Sequence, residues 1–179
     1  MGTATLESLP LESSDAVSRE RFLDGMRLSA ATVSVVTTES KGERFGATVS
    51  AMCSVSADPP SLLVCINSHG RTAKTISAGG IFCVNLLAEP QRPIAEAFAG
   101  IAPADGGPFA SGRWRTMATG APVLVDAVAA FDCRVSREVQ HGTHTVFFGA
   151  VVDVGLGSGM PLVYADKNFR RVVPLSSES

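Results

Sequence analysis

No Cys-x-x-Cys pair stands anywhere in this 179-residue chain, and none of its three histidines lies at ligand spacing from a cysteine. A structural zinc site needs such spacing, so the sequence predicts no metal centre. The four cysteines, Cys53, Cys65, Cys83 and Cys133, stand singly inside apolar runs, which predicts buried free thiols in a reducing cytoplasm. Charge is scarce too: 18% of residues are charged, with 15 Lys+Arg against 17 Asp+Glu and a formal charge of −2. No Lys/Arg block is dense enough to follow a phosphate backbone, which argues against nucleic acid as a partner. Nor is there an apolar run of the roughly 18 residues a membrane helix requires; even residues 123–131 are interrupted by Asp126. A soluble protein with no membrane partner is expected. With 45% hydrophobic residues, part of its surface stays apolar, and a homodimer would cover it.

Familiar catalytic signatures are missing as well. There is no Gly-x-Ser-x-Gly elbow and no phosphate-cradling P-loop. Gly155-Leu156-Gly157-Ser158-Gly159 imitates part of a dinucleotide fingerprint, but Met160-Pro161 follows where a helix should begin, so the segment reads as a turn.

What is present is one domain. Residues 1–17 read as a flexible leader without the basic or arginine-rich character of a targeting segment, 18–174 as the folded domain and 175–179 as a tail. A helix is predicted over 17–28 with Ser18 as its cap. Strands follow over 32–38, 45–56 and 61–66, with a turn at Ser40-Lys41-Gly42-Glu43 and a break at Pro59-Pro60. A brief helix over 71–77, a strand over 81–87 and a helix over 90–99 with Ile94, Ala97 and Phe98 inward lead into a Gly/Pro/Ala-rich loop over 100–112. In 129–139 Phe131, Cys133 and Val135 alternate with Asp132, Arg134 and Ser136. A turn at His141-Gly142 and renewed alternation through Val146, Phe148, Ala150, Val152 and Val154 make a hairpin. About six antiparallel strands with inserted helices predict a mainly β, closed or nearly closed barrel.

Three places could carry chemistry. Between Phe45 and Pro60, Thr48, Ser50, Ser54 and Ser56 fall on one strand face and Val49, Ala51, Cys53 and Val55 on the other, so the apolar face reads as core. The hydroxyl face is either a ligand surface or that of an edge strand meeting water. The run Cys65-Ile66-Asn67-Ser68-His69-Gly70-Arg71-Thr72 leaves a strand and enters a helix, gathering amides, hydroxyls and a guanidinium; it suits an anion, and equally an ordinary helix cap. His144, between Thr143 and Thr145, is a candidate functional residue or a satisfied structural histidine.

Taken in order, Gly46-Ala47-Thr48-Val49-Ser50-Ala51, Ser56-Ala57-Asp58-Pro59-Pro60, Asn67 to Thr72, Phe82-Cys83-Val84-Asn85-Leu86-Leu87, Phe98, Phe109 to Trp114, Asp132-Cys133, Gly142-Thr143-His144 and Pro161-Leu162-Val163-Tyr164 resemble the short-chain flavin reductases that serve two-component monooxygenases. The resemblance spans residues 21–172. It implies a six-stranded Greek-key split barrel with a few short helices, a homodimer, hydride transfer from NADH to FAD or FMN, and a monooxygenase that receives the reduced flavin. It leans to FAD and NADH. Carried over by position, it assigns Thr48, Val49, Ser50 and Ala51 to the flavin ring, and Cys65, Ile66, Asn67 and Ser68 to the continuing wall. Arg71 and Thr72 fall to the phosphate, and Ala97 and Phe98 to the ribityl or adenine portion. Phe45, Gly46, His144, Tyr164 and Phe169 fall to the nicotinamide, with His144 as the residue nearest to a catalytic role.

The chain departs from that pattern in two places. Many members have Gly-Asp-His where Gly142-Thr143-His144 stands, so a hydroxyl replaces a carboxylate beside the imidazole. His69 fills a slot where a small hydroxyl residue is common. Two other functions remain compatible: a non-catalytic flavin-binding carrier or sensor, and an oxidase of the pyridoxamine-phosphate type, which would call for a second basic phosphate pocket.

Overall fold

The computed structural model describes residues 16–102 and 105–175; the 1–17 leader and the 175–179 tail fall outside them except for Ala16, Val17 and Leu175. Helix α1 (Arg19–Arg27) begins where Ser18 Oγ accepts from Arg21 N at 3.3 Å, and it buries none of its residues. It is followed by β1 (Ala31–Thr32), β2 (Ser34–Ser40), β3 (Glu43–Val49), β4 (Met52–Ala57) and β5 (Pro60–Asn67). Next come α2 (Arg71–Gly79), stopped by Gly80 in the left-handed region at φ 68°, then β6 (Ile81–Leu86) and α3 (Arg92–Phe98). The second half holds β7 (Trp114–Thr116), β8 (Pro122–Leu124), β9 (Ala129–His141), β10 (His144–Leu156), β11 (Leu162–Ala165) and β12 (Asn168–Arg171).

The fold is mainly β. Seven antiparallel strands form one sheet in the order β3-β2-β6-β9-β10-β5-β4, beside small sheets β1-β11-β12 and β7-β8. The expected count of six differs because the single strand read over 45–56 is broken at Ser50-Ala51. Its first half pairs with β2 and its second with β5, so the two halves become the opposite edges of the sheet. No strand ladder joins those edges among the described residues. The sheet is therefore not a closed barrel; where the edges meet, the chain itself crosses, with Cys65 N donating to Ala51 O at 3.1 Å.

That break also resets the side-chain alternation. Val49 and Met52, three positions apart, both pack against the inner core, which an uninterrupted two-residue period forbids. The apolar face expected to be core holds to Val49 and then fails: Val55 is 48% exposed and Cys53 is exposed. The expectation of buried thiols is likewise corrected, since Cys83 and Cys133 are buried, Cys65 is half-buried and Cys53 is not.

The inner face of the sheet is filled by Val36, Val64, Phe82, Val84 and Phe147, with Ile76 from α2 closing it. Gly149 on β10 serves this packing, because a Cβ there would stand 2.5 Å from Phe82 Cζ and 2.9 Å from Cys133 Cβ. On the outer face Val33, Val35 and Leu87 pack under Ile94 and Phe98 of α3. There Phe98 meets the Phe109 ring at 4.9 Å and Trp114 at 5.6 Å between centroids.

Asp132, counted from sequence among the polar alternates of a hairpin, is fully buried. The β7–β8 segment covers it, and Thr119 donates to its carboxylate from both N, at 2.8 Å, and Oγ1, at 2.5 Å. Asn85 beside it is also fully buried. It donates to Val35 O at 3.0 Å and Thr37 Oγ1 at 3.1 Å and accepts from Leu124 N at 2.7 Å. These polar groups fasten β8 across the outer face of β2 and β6, satisfying what would otherwise be costly buried polarity.

Candidate functional site

The broken strand and the β5–α2 junction face each other across a groove of about 300 Å³. Thr48, Val49, Ser50 and Ala51 form one wall; Cys65, Ile66 and Asn67 form the other, with Thr72 at the far end and His144 at the mouth. Nine of the sequence-derived positions are thus brought together. Several are held by specific contacts. Thr48 Oγ1 donates to Ala95 O of α3 at 2.7 Å, so this hydroxyl ties β3 to its covering helix. Beyond it only Ser50 and Ala51, both exposed and small, stand between solvent and the backbone.

The junction is fixed from below. Asn67 accepts twice, through Oδ1 from His69 N at 2.9 Å and through its carbonyl from Gly70 N at 3.1 Å. Ser68 N donates to Thr143 O at 3.0 Å, and its hydroxyl shares a hydrogen bond with Thr145 Oγ1 at 2.9 Å. Ser68 therefore pins the loop to β10 and does not line the groove. The residue preceding α2, Gly70, offers no side-chain cap. The first amides of the helix have no side-chain acceptor there, the condition in which a helix start attracts an anion.

Arg71 stands outside the groove, its side chain 77% exposed. Its guanidinium lies 3.6 Å from Glu43 and 4.6 Å from the Phe45 ring centroid. Phe45 is thereby spent on Arg71. His144 is exposed at the start of β10, its Nδ1 3.0 Å from Thr143 Oγ1, and in register it faces Asn67 on one side and His141 on the other. The hydroxyl that replaces the expected carboxylate does reach the imidazole. Burial pushes the Cys65 thiol above its ordinary pKa, so it stays protonated at neutral pH.

Other assigned positions lie elsewhere. Ala97 and Phe98 are buried at 6% and 8% exposure, and Phe98 closes on Gly46, where an added Cβ would come 2.6 Å from its ring. Gly46 is small for the sake of that ring. Tyr164 lines a second cavity, of about 420 Å³, which shares Ser50 and Ala51 with the groove. Phe169 packs edge-on against Tyr164 at 5.4 Å and lies under Arg92 at 5.2 Å.

Sequence reasoning missed Ala47 and Gly70 in the groove, and it missed Arg27 and Lys167 at the second cavity. Gly70 stood inside the Asn67–Thr72 run as a side-chain-free cap; the others carry no local signal. Among the described residues no cluster of three or more His, Cys, Asp or Glu could hold a metal ion, and no helix is long and apolar enough to cross a membrane.

Residues 26–173 match the family described as flavin reductase like domain. The chain is 44% identical over 158 residues to the FMN reductase (NADH) RutF of Ancylobacter novellus, covering 88% of this chain and 87% of that one. It is 45% identical over 136 residues to the FMN reductase (NADH) RutF of Bradyrhizobium diazoefficiens, covering 76% and 75%. Among solved structures it is similar to the styrene monooxygenase flavin reductase of Pseudomonas putida S12, with TM-score 0.76 and 31% identity over 86% of this chain and 99% of that one.

Proposed function

The chain belongs to the flavin reductase like domain family, and from that premise we propose that it transfers hydride from NADH to a free flavin and releases the reduced flavin to a partner monooxygenase. The observation that carries this reading is the groove in which a small-residue chain crossing, Ser50-Ala51, faces an uncapped helix start. Short side chains let a flat ring lie close to the backbone, while the amides of Arg71 and Thr72 receive a phosphate; the Arg71 guanidinium, paired with Glu43 outside the groove, would join them only on leaving that pair. The bound flavin supplies the hydride-accepting ring. With a flavin bound, the protein's own part would be to stack the nicotinamide face to face on it and keep water from between them. His144 at the mouth orients the nicotinamide, steadied by Thr143. The protonated Cys65 adds no charge beside the ring.

We take FMN as the preferred flavin, because the two bacterial relatives carry that name, in place of the lean to FAD read from sequence. A flavin that must leave is bound moderately; a micromolar constant corresponds to about −8 kcal/mol. We read the curled sheet, its edges meeting at Ser50-Ala51, as the split barrel of this family. A second copy of the chain is placed on its uncovered face, where Leu63, Val146 and Phe148 are only half-buried and Val55 is exposed. Light scattering after gel filtration should return twice the monomer mass, and a monomer would remove that placement.

The reading predicts colourless purified protein that consumes NADH, followed under argon by absorbance, only after flavin is added. Rates with FMN and FAD against NADH and NADPH then rank the four pairings. Absence of NADH consumption with every pairing, or a flavin that stays bound through dialysis, would leave a carrier or sensor in its place.

A further inference from the structure

We propose that Ser68, through its hydroxyl pair with Thr145, is a positioning residue for His144, binding the strand end that carries the imidazole to the loop between β5 and α2; this rests on the reductase reading above. His144 is the first residue of β10. Its pair with Asn67 is the last rung of the β10–β5 ladder, and its pair with His141 is the last rung of the β10–β9 ladder. A residue at the end of two ladders lies where strands open first. A side chain that sets how one ring approaches another needs a backbone held in place.

What holds it comes from the β5–α2 loop. Ser68 stands one step past the last rung, and its N donates to Thr143 O at 3.0 Å. Its hydroxyl meets Thr145 Oγ1 at 2.9 Å, so the residues on both sides of His144 are bound to one serine. The two-residue period accounts for the meeting: Thr145 pairs with Ile66, and Ser68, two positions beyond Ile66, falls on the same inward face. Among the described residues this is the one side-chain hydrogen bond between the loop over 67–72 and β10. Thr145 is 9% exposed, so removing the Ser68 hydroxyl strands a buried one. The loop does not need the pair for its own shape, because Asn67 holds it from within by accepting from His69 N and Gly70 N. The tether therefore acts on the end of β10 and not on the helix start that faces the phosphate.

The test is steady-state kinetics of the full chain with NADH varied at saturating FMN, run beside urea melts. Ser68→Ala and Thr145→Val should each lower kcat/KM for NADH about fivefold, the equivalent of one net hydrogen bond, with FMN affinity by fluorescence quenching within about twofold. Each should also lower the urea midpoint, since each leaves a partner unsatisfied. In the double variant Ser68→Ala/Thr145→Val both partners are apolar, so the midpoint should return to within about 0.2 M of the parent while kcat/KM stays about fivefold low. Thr145→Ser, which keeps the hydroxyl, should keep the parent rate. In the His144→Ala background Ser68→Ala should lower kcat/KM no further, because the tether works through the imidazole. A double variant whose rate recovers with its midpoint overturns the inference and leaves the pair as a stability element alone. So does an unchanged rate in Ser68→Ala, a loss that persists without His144, or a loss of FMN affinity as large as the loss in rate. A parent protein that consumes no NADH with either flavin overturns the reductase reading as well.

Discussion

Replacing Asn85 by leucine should cost this protein about 2–3 kcal/mol. In a fully buried position its side chain donates to Val35 O and Thr37 Oγ1 and accepts from Leu124 N, with a weaker fourth bond accepted from the Cys83 thiol at 3.7 Å. Each such bond is worth about 1 kcal/mol net, and partners left unsatisfied in the interior cost more. Leucine fills a similar volume, so part of the loss, about 1 kcal/mol, returns as apolar burial. For a chain of this size each kcal/mol moves the melting temperature by roughly 2–4 °C, so a fall of roughly 5–10 °C is expected. In urea, with m of about 2 kcal/mol/M, the midpoint should drop by about 1.2 M. Hydrogen exchange locates the effect: the Leu124 amide should lose protection far more than amides of β10, because Asn85 is its acceptor. A midpoint within 0.2 M of the parent, with Leu124 still protected, would refute the idea that this amide fastens β8 to the sheet.

Four further outcomes follow from other parts of the structure. Gly149→Ala, which would put a methyl 2.5 Å from Phe82 Cζ, should destabilise by about 1–3 kcal/mol in urea melts; a neutral result would mean that Phe82 can move aside. His144→Ala should lower turnover with NADH while leaving FMN affinity, measured by fluorescence quenching, within about twofold; unchanged turnover would remove its orienting role. The buried thiols set a stability limit at high pH. Burial, assisted by the nearby Asp132, pushes the Cys133 thiol up to about 12. A proton is therefore held more tightly in the folded state, and this stabilisation is complete below the ordinary thiol pKa and lost as pH rises through about 12. Urea midpoints at pH 8 and pH 10.5 should show the decline, which Cys133→Ala should reduce. A thiol reagent at pH 8 should label Cys53 first, then Cys65, and reach Cys83 and Cys133 only on unfolding.

The long alternating hairpin of β9 and β10 was legible in sequence because its period persists over many residues and its turn carries Gly142 in the left-handed region. The run from Asn67 to Thr72 was legible because a strand end, a glycine and a helix start lie contiguously. The strand over 45–56 was misread as unbroken, since its alternation looks regular; the break is set by pairing with two different partners, β2 and β5, which no local pattern records. Strands β7, β8, β11 and β12 are three or four residues long and exist through tertiary pairing, so their sequences carry too few periods to be read. Asp132 misled for the same reason: what covers it lies outside its own strand. Phe98 shows the limit of position-by-position transfer, since its ring is engaged with Gly46, Phe109 and Trp114.

The crossing at Ser50-Ala51 has one more effect. It is a party wall, one peptide thick, between two chambers, and neither residue has enough side chain to be enlarged for one tenant without intruding on the other. A larger side chain at either position would narrow both cavities at once, so any change in the shape of one that spares the other has to be made away from this wall.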